Sequence, residues 1–180
     1  DDNYESMKKF ILFIVDNLQK SDFTLDKNRY GDWCDVSTMN QGTLEPTGST
    51  SRPLITTAYF YNNVKILART ASILGRVKDA IYFADLANNI KLGFNNRFFN
   101  PQTNKYESAT QCSYVLPLAF GLVPPENQDY VVANLVEDIM IKNNGHLSVG
   151  LIGMQWLMQT LTNIGHAEVA YTIATQTTRP

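Results

Sequence analysis

Histidine, cysteine and net charge are all in short supply. Two cysteines and two histidines occur in 180 residues. Cys34 and Cys112 lie far apart with no His or Cys at metal-ligand spacing, and His146 and His166 stand alone outside any His-Glu-x-x-His pattern. That excludes a structural zinc site and leaves two free, buried thiols as the simplest reading. Fifteen Lys and Arg against seventeen Asp and Glu give a net charge of −2. The cations, among them Lys8-Lys9, Arg52, Lys65 and Arg69, are scattered, so the chain offers no electrostatic footprint for nucleic acid. Long apolar runs are missing too: none reaches the roughly 18 residues needed to span a bilayer. Phe10 to Val15 is apolar, but Asp16 and Asn17 end it, which does not fit a signal peptide. No pattern calls for a metal or a cofactor, and none is assigned.

What the chain has in quantity is helical periodicity. Met7, Phe10, Ile11, Ile14, Val15 and Leu18 recur at the spacing of one buried helix face, predicting a helix from about Asn3 or Tyr4 to Lys20. Pro53 is a natural first-turn residue for a helix over about Ile55 to Leu74, which Gly75 stops. A third is predicted over Val77 to Phe94, and others over Ser108 to Phe120, Asn127 to Lys142, Val149 to Ile164 and Ala167 to Thr177. Pro117 should kink or loosen the fourth of these.

These helices alternate in character. Those over 55–74, 108–120 and 149–164 are apolar on nearly every side, whereas the ones after them are two-faced. A helix apolar all round is expected to be buried all round. Gly75, Gly121 and Gly165 fall roughly 45 residues apart, the period of paired-helix repeats. The expectation is an all-α fold in two layers, with buried inner helices and amphipathic outer ones. An open solenoid and a closed helical toroid share this grammar; the long, irregular loops before the inner helices favour the toroid. Three and a half hairpins cannot close a ring of about six, so the 180 residues read as a single domain unit forming part of a toroid. Exposed apolar surface on such a part would favour self-association.

Those loops should gather at one end. The longest, Asn28 to Pro53, contains Tyr30-Gly31-Asp32-Trp33, a carboxylate beside two rings. Oxygens for hydroxyls and a flat apolar face are what a sugar requires of a protein surface. The competing reading is a Gly-Asp turn with Trp33 anchoring the loop. At the same end Tyr106 and Glu107 precede one inner helix and His146 precedes another, so each is a candidate pocket residue. Glu107 also reads as a first-turn acid, and His146 as a satisfied loop histidine. Asp35 reads as a turn carboxylate, His166 as structural and Trp156 as core.

Tyr30-Gly31-Asp32-Trp33, the segment His146-Leu147-Ser148-Val149-Gly150-Leu151-Ile152-Gly153, Leu157-x-x-x-Leu161 with Asn163-Ile164-Gly165, and Ala170-Tyr171 leading to Arg179-Pro180 occur in an ordered set. In that order and spacing the chain resembles the catalytic domain of bacterial α-L-rhamnosidases, six-hairpin glycosidases of glycoside hydrolase family 78. The resemblance covers essentially the whole chain. It implies an (α/α)6 toroid, a rhamnose-containing glycoside or polysaccharide as partner, and a periplasmic or secreted location. It implies removal of terminal α-L-rhamnose with inversion, by a carboxylic acid that protonates the leaving oxygen and a carboxylate that activates water. It places Trp33 against the sugar and has Asp32 either holding a hydroxyl or fixing the loop. The family's Asp-Glu-Arg-x-Gly-Trp-x-Gly-Asp and Trp-Glu-x-Trp motifs, which would supply the acid and base, do not occur here. No catalytic residue is therefore assigned within the 180 residues, and alone they are expected to be inactive. A non-catalytic helical-repeat binding module and another toroid enzyme acting on carbohydrate are the alternatives.

Overall fold

The computed structural model describes residues 2–26, 30–35 and 48–178. Asn28, the 36–47 part of the long loop and Arg179-Pro180 lie outside the described residues. Seven α-helices form among those described: α1 Asp2–Asn17, α2 Arg52–Ile73, α3 Val77–Phe98, α4 Gln111–Phe120, α5 Gln128–Glu137, α6 Leu151–Asn163 and α7 Ala167–Ala174. A 3-10 turn, Pro125–Asn127, leads into α5, and a π-turn, Asp138–Lys142, extends it. No described helix is long and apolar enough to cross a membrane.

The predicted helices are all present, and local chemistry accounts for the shifted ends. Pro53 occupies the first turn of α2. The helix predicted from Ser108 begins instead at Gln111, because Ser108 and Ala109 hold left-handed backbone angles, φ +74° and +47°. Thr110 then caps it: its hydroxyl accepts from Ser113 N–H, and the Ser113 hydroxyl accepts from Thr110 N–H. α4 continues through Pro117 for one turn and ends at Gly121, whose left-handed φ of +79° suits glycine. The Asn100–Glu107 segment, read as a loop, carries a small detail within the all-α fold. It closes as a two-residue antiparallel ladder, β1 Phe99–Asn100 on β2 Lys105–Tyr106, pairing Phe99 with Tyr106.

The two layers are present. α2, α4 and α6 run side by side, α4 packing on both α2 and α6, while α3 backs α2, α5 backs α4 and α7 backs α6. The first seven residues of α4 are all buried, since inner helices flank it on both sides. α2 and α6 differ from the expectation that they are buried all round: α2 leaves Ile66 and Ile73 exposed. Leu151 and Met154 are exposed on α6, because among the described residues it has an inner neighbour on one side only. α1 likewise leaves Phe10 and Phe13 more than half exposed. A cleft of about 480 Å³ opens along α1 and α2, with Phe10, Ile14, Leu25, Ile55 and Phe60 among its walls.

Polar ties fix the layers to each other. Asp79 of α3 accepts from Tyr4 and Lys8 of α1, each at 2.7 Å. Two lysines hold the C-terminal carbonyls of α4: Lys65 Nζ donates to Phe120 O at 2.6 Å and Lys91 Nζ to Gly121 O at 2.7 Å. Cations there complement the helix dipole. Asp138, in the π-turn, is held above the usual aspartate range mainly by burial.

Two measurements check this packing. A Cβ on Gly93 of α3 would land on the Asp22 carbonyl oxygen of the loop after α1. Gly93→Ala should therefore destabilise by about 2 kcal/mol, overpacking outweighing the ~1 kcal/mol that alanine offers a helix interior; urea unfolding showing a gain would contradict that contact. For Asp138, a raised folded-state pKa means that folding favours the protonated acid, so stability falls as pH rises from the ordinary aspartate range toward the folded value. Asp138→Asn should be more stable than the wild type at neutral pH, with the gap closing below about pH 4. A gap independent of pH would contradict the assignment.

Candidate functional site

The loops that precede the inner helices meet at one rim. The Thr50 and Thr110 hydroxyls share a hydrogen bond of 2.7 Å, and Ser51 N–H donates to Ser108 Oγ at 2.9 Å, joining the entries to α2 and α4. Gln111, buried at the start of α4, joins the α4 and α6 entries through its side-chain amide. Nε2 donates to His146 O at 3.2 Å, and Oε1 accepts from Ser148 N–H at 2.7 Å.

The 30–35 loop is fastened to α6. Asp32 has no exposed surface, and its carboxylate accepts three peptide hydrogens: Gly150 N–H on Oδ2 at 2.8 Å, with Ile152 and Gly153 N–H on Oδ1 at 2.9 and 3.0 Å. The remaining first-turn donor, Leu151 N–H, reaches Trp33 O at 2.8 Å. Helix termini leave their first N–H groups without intrahelical partners. Here a loop more than a hundred residues away supplies acceptors for all four, and it brings a negative charge to the positive end of the helix dipole. Gly150 permits the approach, since a Cβ there would overlap the carbonyl oxygens of Asp32 and Trp33. Asp35, also buried, accepts from Ser49 N–H and Oγ and ties the loop to the chain entering α2.

This geometry sorts the sequence-based candidates. Asp32 fixes the loop; with its carboxylate spent on α6 and no surface exposed, it is not placed to hold a sugar hydroxyl. Trp33 is 45% exposed, its ring centroid 6.3 Å from that of Tyr30, itself 61% exposed, so the rim presents two tilted aromatic faces to the outside. Tyr106, expected on the pocket wall, is core. It is 2% exposed, rings Phe94 and Phe99 pack on it, and its hydroxyl donates to Asn95 Oδ1 at 2.9 Å. The β1–β2 register turns it inward. Glu107 is exposed in the turn after β2, outside α4 and so not a first-turn acid. His146 is half-buried, Nδ1 lying 2.8 Å from Asn143 O and Nε2 2.8 Å from Thr178 Oγ1; both ring nitrogens are engaged within the protein.

Beneath the rim, Trp156 belongs to the packing between α2, α4 and α6. Its ring meets Phe120 edge-on at 5.0 Å, and its Nε1 donates to Tyr59 Oη at 2.9 Å. Cys112 is buried beside Asp32, and burial with that neighbouring carboxylate pushes its thiol well up, so it stays protonated. Cys34 is a free, exposed thiol, against the expectation that both thiols are buried. The residues that sequence reasoning underrated are Gly150 and Gln111. Gln111 stands out only as a polar residue at the start of an inner helix and Gly150 only as part of the ordered set; the role of each depends on which distant segment crosses it.

Two substitutions test the fastening. Asp32→Ala leaves three peptide donors unpaired in the interior and should cost about 3 kcal/mol or more. Gly150→Ala should cost about 2 kcal/mol by forcing the loops apart. In a Trp156→Phe background, both should lower the fluorescence anisotropy of Trp33. Unchanged stability and anisotropy would contradict the geometry.

Comparison with known proteins agrees with this arrangement. The chain matches, over residues 1–180, the model of the bacterial alpha-L-rhamnosidase 6 hairpin glycosidase domain. It is 32% identical over 180 residues to an alpha-L-rhamnosidase of Formosa agariphila, covering all of this chain and 19% of that protein. Among solved structures, the alpha-L-rhamnosidase from Dictyoglumus thermophilum superposes with a TM-score of 0.88 at 34% identity, covering 99% of this chain and 20% of that one. The Streptomyces avermitilis alpha-L-rhamnosidase complexed with L-rhamnose gives 0.85 at 29%, covering 99% of this chain and 16% of that one. The chain thus spans about a fifth of the length of the relatives it matches. With its paired inner and outer helices and a rim of long loops at one end, it belongs to the six-hairpin glycosidase domain family of bacterial alpha-L-rhamnosidases.

Proposed function

We propose that these 180 residues form the middle of a larger toroidal catalytic domain that removes terminal α-L-rhamnose from glycosides or polysaccharides. The observation that carries the reading is the Tyr30–Trp33 pair, two exposed rings on a loop that Asp32 locks to α6. Exposed aromatics usually cost solubility, and here four hydrogen bonds from the α6 peptide N–H groups, three to a buried carboxylate and one to Trp33 O, hold them in place. Trp33 forms a wall of the rhamnose site, where the C–H face of a 6-deoxy sugar covers its ring. Glu107 and His146 stand on the same rim, where a longer substrate would pass.

The reaction is inversion by two carboxyl groups, one protonating the glycosidic oxygen and one activating water on the opposite face of the sugar. Both come from outside these 180 residues. In support of that, Asp32 and Asp35, the carboxylates of the Trp33 loop, are buried and bonded within the protein, which leaves neither for proton transfer to substrate. The apolar faces of α1 and α6, with Phe10, Phe13, Leu151 and Met154, pack against further helices of the ring or, when exposed, against a second copy.

Hydrolysis of an aryl α-L-rhamnoside by the complete domain tests the reaction: proton NMR should detect β-L-rhamnose as the first product, with the α anomer growing in by mutarotation. An α anomer appearing first would contradict inversion, and no hydrolysis would contradict the activity. Titration with L-rhamnose tests the pocket: Trp33→Ala should weaken binding about tenfold, the loss of roughly 1.4 kcal/mol of stacking. Binding that survives intact would remove Trp33 from the site.

A further inference from the structure

We infer that Gln111 is a positioning residue for Trp33, acting from beneath the rim without touching substrate. The inference rests on the reading that Trp33 lines the sugar site. Gln111 is 1% exposed, at the first position of an uncharged inner helix. A buried amide costs several kcal/mol unless its groups are bonded, so its presence there calls for partners, and its oxygen and its nitrogen each have one. Its oxygen accepts Ser148 N–H at 2.7 Å and one N–H donates to His146 O at 3.2 Å, while Asp138 of the π-turn lies close to the amide. Asp138 is steadied in turn by Asn143 Nδ2 at 3.0 Å.

The consequence is geometric. The peptide that Gln111 grips at 146 and 148 continues directly to Gly150, whose N–H donates to Asp32, and to Leu151, whose N–H donates to Trp33 O. A chain of hydrogen bonds therefore runs from the start of α4, through the entry to α6, to the backbone that carries the Trp33 ring. An apolar side chain of similar volume would fill the space and leave Ser148 N–H and His146 C=O without this partner. The entry to α6 would relax, and the ring with it.

Steady-state kinetics of the complete domain on p-nitrophenyl α-L-rhamnoside decide the matter, with the wild type, Trp33→Ala, Gln111→Met and Gln111→Glu compared and each variant's melting temperature recorded. Gln111→Met should raise KM about tenfold with kcat within about threefold, the signature of lost uniform binding. A purely structural role would lower the melting temperature and leave KM unchanged. Gln111→Glu keeps the acceptor for Ser148 N–H, loses both donors and places a new carboxyl against Asp138. The titratable groups about that point are Asp138, Glu137, Lys142, Tyr114 and His146. Its KM relative to wild type should fall as pH is lowered and a proton returns a donor to the pair. If Trp33→Ala leaves KM unchanged, the pocket reading fails and the inference fails with it. If Trp33→Ala raises KM while Gln111→Met does not, the inference alone fails. Should Gln111→Met not fold, Gln111→Glu decides: a pH-dependent KM ratio supports the role, and a flat one overturns it.

Discussion

One buried carboxylate meeting the open end of one helix organises this rim. The first turn of α6 presents four peptide hydrogens with no partner inside the helix, and burying them bare would cost several kcal/mol. Most helices meet that demand with a local Ser, Thr or Asp. Here Gly150 stands at the cap position with no side chain to offer, and Asp32 arrives from a different loop to fill the role. The exchange serves both parties. α6 gains a charged cap, and a loop with little regular structure gains a fixed address. Everything that the loop displays, Trp33 above all, inherits that address.

The two layers beneath supply the rigid base. Inner helices packed side by side point their N-termini toward the same end, so capping and loop-anchoring chemistry accumulates there: Thr110 over α4, Thr50 bonded to it, and Gln111 between the entries to α4 and α6. The opposite end is plainer. Gly75 and Gly165 turn the chain back with left-handed backbone angles, and a Cβ would meet nothing at either. Glycine serves the turn there, whereas at Gly150 and Gly93 it serves a close crossing. A fold that concentrates irregular chain at one rim leaves the other free to be short.

The helices and their alternation were legible in the sequence because 3.6-residue periodicity and charge placement are local signals. The gathering of the loops at one end followed from helix order alone. What could not be read was which way single residues face outside a helix. Tyr106 and Trp33 look alike in sequence, aromatic residues in polar loops; a two-residue ladder turns the first into the core, and a capped loop holds the second outside. Asp32 was open to two roles, and only the position of Gly150 decides between them. Leu151 and Met154 of α6 show the limit of reasoning from composition: an uncharged helix is fully enclosed only where it has neighbours on both sides, as α4 has.

The central claim is that the α6 entry and the Trp33 loop are one unit, joined by the Asp32 carboxylate and the Trp33 carbonyl. Native-state amide hydrogen exchange tests it most directly. The account predicts that the N–H groups of Gly150, Leu151, Ile152 and Gly153 are protected to within about tenfold of Leu157 in the middle of the same helix. Rapid, solvent-like exchange at those four amides, as in an uncapped helix end, would contradict it.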